Sequence, residues 1–324
     1  MKQAAQRFFA RLGLQVSRIR SQPTLGIETF EQAGPDIVDL SKCEPLWYDY
    51  RQHPVNRTPG RVWNESSSFA NSLKGIDLRR FRSDNAYVWQ TRGSSLGAFI
   101  VSALWAEKND SFGLLNSTEE LGDYGVECIR LQGRLWSRDL VDSVLEITFL
   151  MESLPPGSLD TMTTVDIGAG YGRLLRRLAD VTHNDNLFGV DGVALSTCIA
   201  DAYISHLELR SRVRILTLAE ADELSKPVHL VTNVHSFSEM PLDAVCWWLD
   251  WARDRGTEFL FIVPNVPGPA LNDGTDLMPH IRERGFVLAA HRMKYTDELI
   301  GTHALYQAHY YLFTREAESQ EPGP

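Results

Sequence analysis

The run Val165-Asp166-Ile167-Gly168-Ala169-Gly170-Tyr171-Gly172-Arg173 gathers the residue types that let a backbone close on a ligand. Glycines at alternate positions tolerate positive φ and leave no side chain between main chain and ligand. An acid, Asp166, stands two residues ahead of the first glycine, and a second, Asp191, closes the next β-rich run. A carboxylate at Asp191 suits the two donor hydroxyls of a ribose. Asp166 suits an ammonium group, reached through the loop or a water. The dinucleotide fingerprint is GxGxxG, and Arg173 occupies its third glycine position here. No Gly-Lys-Ser/Thr is present, which excludes a P-loop. The pattern asks for a ligand with a ribose and a cationic amino-acid tail, and without a phosphate.

A second group follows at Asn233-Val234-His235-Ser236-Phe237-Ser238-Glu239-Met240. If residues 236–240 make a helical turn, His235 and Glu239 share a face. An imidazole beside a carboxylate suits proton removal from a poor nucleophile such as an alcohol. Glu239 would orient the ring or take the proton itself. The structural alternatives are a histidine that closes a loop and an acid that caps the next helix. Asp273 and Asp276 would join Glu239 if a divalent cation such as Mg2+ assists. More simply, Asp273-Gly274-Thr275-Asp276 is a turn with a helix cap. Tyr87, Trp89 and Gln90, in the basic and aromatic stretch 79–92, would close over a ligand and a sugar ring, or bury against the body of the protein. His303 and His309 read as sheet surface.

These groups need a scaffold, and the pattern from residue 155 onward supplies one. Short β-rich runs at 163–167, 186–190, 213–218, 228–234 and 258–263 alternate with helical patterns at 172–179, 195–209, 241–255 and 276–283. That alternation predicts a parallel sheet covered on both faces. The runs 286–295 and 304–314, joined by a polar loop, predict an antiparallel hairpin at one edge. Trp247, Trp248 and Trp251 bury the helix after Pro241, or form a contact between copies in a homo-oligomer. Upstream, 96–106 reads as a short buried helix. Residues 136–153 read as an amphipathic one, with Ser137 as cap and Leu140, Val144, Ile147 and Met151 on one face. Pro155-Pro156-Gly157 stops it and marks a boundary. The expected division is a helical N-terminal extension over 1–155, a ligand-binding α/β domain over 156–315 and a disordered tail over 316–324.

The chain has 324 residues, 32 Lys and Arg against 42 Asp and Glu, and a net charge of −10. An acidic chain disfavours a nucleic-acid surface. No uncharged apolar run approaches the roughly 20 residues of a membrane span. Residues 1–20 carry basic residues without an acid, which fits an amphipathic helix at a membrane or partner, or a frayed terminal helix. Cys43, Cys128, Cys198 and Cys246 form no CxxC pair and read as free thiols of a cytoplasmic protein.

The run VDIGAGYGRLL resembles motif I of class I S-adenosylmethionine-dependent methyltransferases. The resemblance spans about residues 160–315 and continues through NLFGVD at 186–191. GAGYGRL and SFSEM, with Tyr203 in the intervening helix, resemble more narrowly the bacterial sugar O-methyltransferase family, including enzymes that act on mannose- or glucose-based polysaccharide precursors in actinobacteria. The resemblance implies a Rossmann-like sheet of seven strands, mostly parallel with an antiparallel edge hairpin, and a helical N-terminal domain. It implies S-adenosylmethionine as cofactor and O-methylation of a sugar or oligosaccharide, with Mg2+ in some members. Gly168, Ala169, Gly170 and Tyr171 would wrap the methionine part, with Asp166 behind them. Asp191 and Gly192 would take the ribose, Leu218 and Ala219 would flank the adenine, and Asn233 and Val234 would lie under the methionine. The alternatives are a methyltransferase with a non-sugar acceptor, an NAD-linked oxidoreductase, and a non-catalytic cofactor-binding protein. The last strand-four position reads Asn233-Val234-His235-Ser236 rather than Asn/Asp-Pro-Pro-Tyr, which weighs against an amino-group acceptor.

Overall fold

A computed structural model describes residues 29–56, 77–83, 94–225 and 227–316. The N-terminal part opens with a two-residue strand, β1 (Thr29–Phe30). Helix α1 (Leu40–Gln52) follows, its first turn capped by Asp39, which accepts from the Ser41 N–H. Helix α2 (Leu96–Asn109) is capped by Ser95 and is buried along most of its length, as its apolar sequence requires. Strands β2 (Cys128–Leu131) and β3 (Arg134–Ser137) form a hairpin whose two loop residues, Gln132 and Gly133, both have positive φ. That backbone twist matches the twist of the flanking strands. β1 extends the hairpin to three strands. The sequence reading expects helices here and misses this sheet, because four-residue strands give too short a pattern. Helix α3 (Arg138–Ser153) starts where the Ser137 hydroxyl accepts from the Leu140 N–H.

The second part alternates as expected: β4 (Thr164–Ile167), α4 (Arg173–Val181), β5 (Leu187–Val190), α5 (Ala194–His206), β6 (Val213–Leu216), α6 (Leu218–Asp222), β7 (Leu230–Val234), α7 (Ser236–Glu239), α8 (Leu242–Asp254), β8 (Phe259–Val263), α9 (Met278–Arg282), β9 (Phe286–Met293), α10 (Glu298–His303) and β10 (His309–Arg315). The strands form one seven-stranded sheet in the order β6-β5-β4-β7-β8-β10-β9. The first five are parallel, and β10 runs antiparallel between β8 and β9. The expected edge hairpin is therefore present, with its later strand placed inside. α10 replaces the expected polar loop: Asp297 accepts from the N–H groups of Leu299 and Ile300, and Ile300 is buried.

The central strands are buried on both faces, which is why they read as continuous apolar runs. α3 and α4 cover one face through Leu140, Val144, Ile147, Leu174 and Leu178. α8 covers the other through Val245, Trp248 and Leu249, with Trp251 donating to the Ala221 carbonyl at 3.1 Å. At Gly189 a Cβ would stand 2.6 Å from Leu175, so glycine lets α4 sit directly on β5. No described helix is long and apolar enough to cross a membrane.

Helix α1 docks on α5 and corrects the cysteine reading. Cys43 and Cys198, 155 residues apart, are joined as a disulfide with Cα atoms 5.9 Å apart. Helix packing, not sequence spacing, brings them together. Beside them the Tyr50 hydroxyl is 3.0 Å from Thr197 Oγ1. Asn56 Nδ2 then donates to the Gly192 carbonyl at 2.8 Å. Denatured without reductant, the protein should show two reactive thiols, Cys128 and Cys246. Four reactive thiols in that assay would mean that Cys43 and Cys198 stand as unbonded neighbours.

Candidate active site

The glycine loop leaves the carboxyl end of β4, next to the point where strand order reverses between β4 and β7. Such switch points open the crevice in which α/β sheets bind ligands. Gly168, Gly170 and Gly172 have φ of 74°, 58° and 84°. At Gly168 a Cβ would stand 2.1 Å from Ser236 Oγ, so the loop and the turn after β7 press backbone against side chain. Asn233, 0 % exposed, ties the same two segments. Its Nδ2 donates to the Ile167 carbonyl and its Oδ1 accepts from the Phe237 N–H, both at 2.8 Å. Its side chain is therefore occupied by the protein, while Val234 beside it is half-buried.

The two predicted acids flank the loop. Asp191 accepts from the Gly170 N–H at 2.9 Å through Oδ2 and from the Val193 N–H at 2.8 Å through Oδ1. Burial nonetheless pushes its pKa up to about 6. Asp166 Oδ1 accepts from Thr232 Oγ1 at 2.7 Å, and burial raises its pKa to about 7, against the pull of that hydrogen bond. A carboxyl there is about half protonated at neutral pH. Ala169 is buried and Gly192 is half-buried, its carbonyl held by Asn56.

The loop's larger side chains point away from the crevice. The Tyr171 hydroxyl donates to Asp139, and its ring packs against Phe81 and Tyr203. Arg173 forks onto Glu146 at 2.8 and 3.1 Å and reaches Ser143 at 2.8 Å. Behind them Arg82, 1 % exposed, donates to Glu120, Asp123 and Asp139, and Arg177 also donates to Glu120. This buried ionic network holds the N-terminal part against the loop. Of the two readings of the basic stretch 79–92, Arg82 follows the one in which it buries against the body of the protein. Tyr87 and Gln90 lie outside the described residues.

The turn after β7 is helical, as expected, and presents His235 and Glu239. His235 takes φ of 68°, a strained value for a residue with a Cβ, and its N–H donates to the Val263 carbonyl at 2.6 Å. Burial, aided by the neighbouring Arg138, lowers the imidazole pKa to about 3, so the ring is neutral. Tyr306 packs edge-on against it with centroids 6.0 Å apart. Glu239 accepts from Asn265 Nδ2 at 3.0 Å. The Asn265 N–H donates to Ser238 Oγ at 3.1 Å, and the Tyr306 hydroxyl donates to the Asn265 carbonyl. Asn265 and Tyr306 are absent from the sequence reading, since neither sits in a motif and each reaches the site from the end of another strand, β8 and β10.

Of the two readings of residues 273–276 the turn with a cap holds, and the strand ending at Leu218 is corrected. The metal set is not assembled: among the described residues no three His, Cys, Asp or Glu side chains are grouped to hold an ion. Asp273 accepts from the Thr275 N–H and Asp276 from the Met278 N–H, so each carboxylate closes its own turn. Leu218 and Ala219 do not end a strand. They open α6, where Thr217 and Glu220 form a reciprocal capping box. Leu218 is buried in the core and Ala219 is exposed.

No protein-family model matches the chain, and no curated protein does. Among solved structures, it is similar to magnesium protoporphyrin IX methyltransferase from Synechocystis PCC 6803 with bound SAM, at 14% identity over 76% of this chain and 100% of that one, TM-score 0.43. It is also similar to a SAM-dependent methyltransferase from Aquifex aeolicus, at 17% identity over 52% and 89% of the two chains, TM-score 0.38. A third is M. capricolum TrmK in complex with S-adenosyl-homocysteine, at 11% identity over 50% and 67%, TM-score 0.36. The fold itself is read from the sheet: a Rossmann-like α/β arrangement of seven strands, mostly parallel, with an antiparallel edge.

Gly168→Ala should cost about 2–4 kcal/mol, from overpacking against Ser236 together with a Cβ at positive φ. Urea unfolding measures it; a wild-type midpoint would disprove the close approach of the two loops.

Proposed function

We propose that the protein transfers the methyl group of S-adenosylmethionine to a hydroxyl of a sugar or oligosaccharide. The observation that carries the reading is the glycine loop at the switch point, with positive φ at Gly168, Gly170 and Gly172, flanked by Asp166 and Asp191. These residues fit the cofactor's chemistry. Asp191 is held by two backbone N–H groups with lone pairs to spare for ribose hydroxyls. Asp166, buried behind the loop, supplies negative charge for the ammonium. When bound, S-adenosylmethionine supplies a methyl carbon on a sulfonium whose sulfur keeps the bonding pair as it departs.

Glu239 would take the proton of the acceptor hydroxyl, leaving its oxygen free to accept the methyl group. His235, neutral and fixed by its strained backbone, holds the hydroxyl by a hydrogen bond. Placement of this kind is worth several kcal/mol in a displacement reaction. A hydroxyl rather than an amine is favoured because a carboxylate stands ready to receive the proton, and because the turn carries His235 in place of an amide-aromatic clamp. The sugar is favoured by the GAGYGRL and SFSEM pair. Residues 1–155 would form the acceptor-binding extension, over the methyltransferase domain at 156–315.

Calorimetric titration with S-adenosylhomocysteine should give micromolar binding, and NADH should give none. The ammonium favours the Asp166 carboxylate and lowers its pKa from about 7. Binding at pH 7 should therefore release up to about half a proton. The observed enthalpy should differ between phosphate and Tris in proportion, and the difference should vanish in Asp166→Asn. A buffer-independent enthalpy at pH 7 would rule out the ammonium contact.

Glu239→Gln should lower kcat by roughly 10²–10⁴-fold with the affinity for S-adenosylhomocysteine unchanged. Unaltered turnover would remove Glu239 as base, and tight cofactor binding without turnover on any acceptor would favour a non-catalytic protein.

A further inference from the structure

Two buried polar atoms at the acceptor end of the crevice have no hydrogen-bond partner among the described residues: Nδ1 of His235 and Oδ1 of Asn265. Buried polar groups are nearly always paired, and a native exception asks for an explanation. These two belong to one place. His235 follows β7 and Asn265 follows β8, and the strands pair in parallel with Val234 opposite Val263. Tyr306 touches both, its ring against the imidazole and its hydroxyl on the Asn265 carbonyl.

The orientation of each atom is set by its surroundings. Glu239 accepts from the Asn265 amide nitrogen, so the amide oxygen is turned elsewhere and can only accept. His235 is held by a positive φ that no local preference explains. Its charged neighbours are Arg138 and Asp142 on α3, Arg173 on α4 and Lys294 after β9. Arg138 and Lys294 both reach Asp142, and Arg173 reaches Glu146. These contacts occupy the charges with one another, and the imidazole takes no part in them.

We propose that Asn265 determines acceptor specificity: its Oδ1 takes a hydrogen bond from the hydroxyl adjacent to the one that is methylated, while His235 Nδ1 holds the reacting hydroxyl beside Glu239. The acceptor is then a vicinal diol rather than an isolated alcohol or phenol. This rests on the methyl-transfer reading above and adds to it a second point of recognition. A site built to hydrogen-bond a hydroxyl rejects the analogue that lacks it, because its own buried atom is then left unpaired. An apolar pocket of the same shape would not discriminate in this way.

The experiment compares wild type and Asn265→Ala on methyl hexopyranosides and on the monodeoxy forms of whichever is methylated. With wild type, removing the adjacent hydroxyl should lower kcat/KM by at least roughly 100-fold. Asn265→Ala should show a similar loss on the parent glycoside and no further loss on that deoxy form, with KM for S-adenosylmethionine unchanged. Calorimetry of the parent glycoside into the S-adenosylhomocysteine complex should weaken in the same variant. Asn265→Asp, which keeps an acceptor oxygen but loses the donor to Glu239, should retain the discrimination and move the acidic limb of the pH–rate profile upward.

Equal losses on parent and deoxy acceptors, a parallel rise in KM for the cofactor, or an unaffected variant would each overturn the assignment of Asn265 while leaving the methyltransferase reading in place. Should Asn265→Ala fail to fold, wild type alone decides, since indifference to every single deoxygenation excludes the second hydroxyl. Cofactor binding without methylation of any hydroxylated acceptor would overturn the reading and this proposal together.

Discussion

One amide holds the crevice in shape. Asn233 bonds the last carbonyl of β4 with one end and the first turn of α7 with the other, entirely out of solvent. The separation it imposes leaves no room for a Cβ at Gly168. The glycine loop, the strained His235 and the Glu239 turn all take their positions from that pairing of β4 with β7. A buried amide with both ends satisfied is a stiff link, because breaking either bond strands a polar group without water.

The N-terminal part contributes at the back of the same loop. Tyr171 is pulled toward Asp139 while Arg82 and Arg177 converge on Glu120. Burying these charges is costly, and they are tolerable only as a complete set. Removing one member leaves another uncompensated and costs about 3–5 kcal/mol. Replacing the whole set with apolar residues would be far milder. The network thus ties the orientation of the loop to the presence of Arg82, Glu120 and Asp139. On the ribose side the same role falls to Asn56 and the α1–α5 crosslink.

What was legible in the sequence followed local rules. The strands β4, β5, β7 and β8 announced themselves as apolar runs because both faces are covered. The glycine loop and Asp191 were legible because chemistry demands those residue types at fixed offsets. Thr217 to Glu220 also carried a legible signal, the Thr-x-x-Glu of a capping box, yet the apolar alternation through Leu218 suggested a longer strand. The rest was hidden for a different reason. Cys43 and Cys198, Arg82 and Glu120, and Asn265 and Glu239 meet only after distant elements pack, so no window of sequence contains both partners. The carboxylates Asp273 and Asp276 were legible by the same local rule, since the turn with a helix cap read from Asp-Gly-Thr-Asp is what each one makes.

The long reach of α2 bears on how the chain acquires its shape. Ser102 accepts from the Leu305 N–H and receives a bond from the Tyr295 hydroxyl, and the Trp105 indole donates to the Lys294 carbonyl. A helix made in the first third of the chain therefore closes its hydrogen bonds only with residues made near the end. During synthesis the side of that helix that faces residues 294–305 waits for its partners until almost the whole sheet has emerged. Loop-closure entropy must be met before those distant contacts reward it, which makes assembly of this protein a slow and late event.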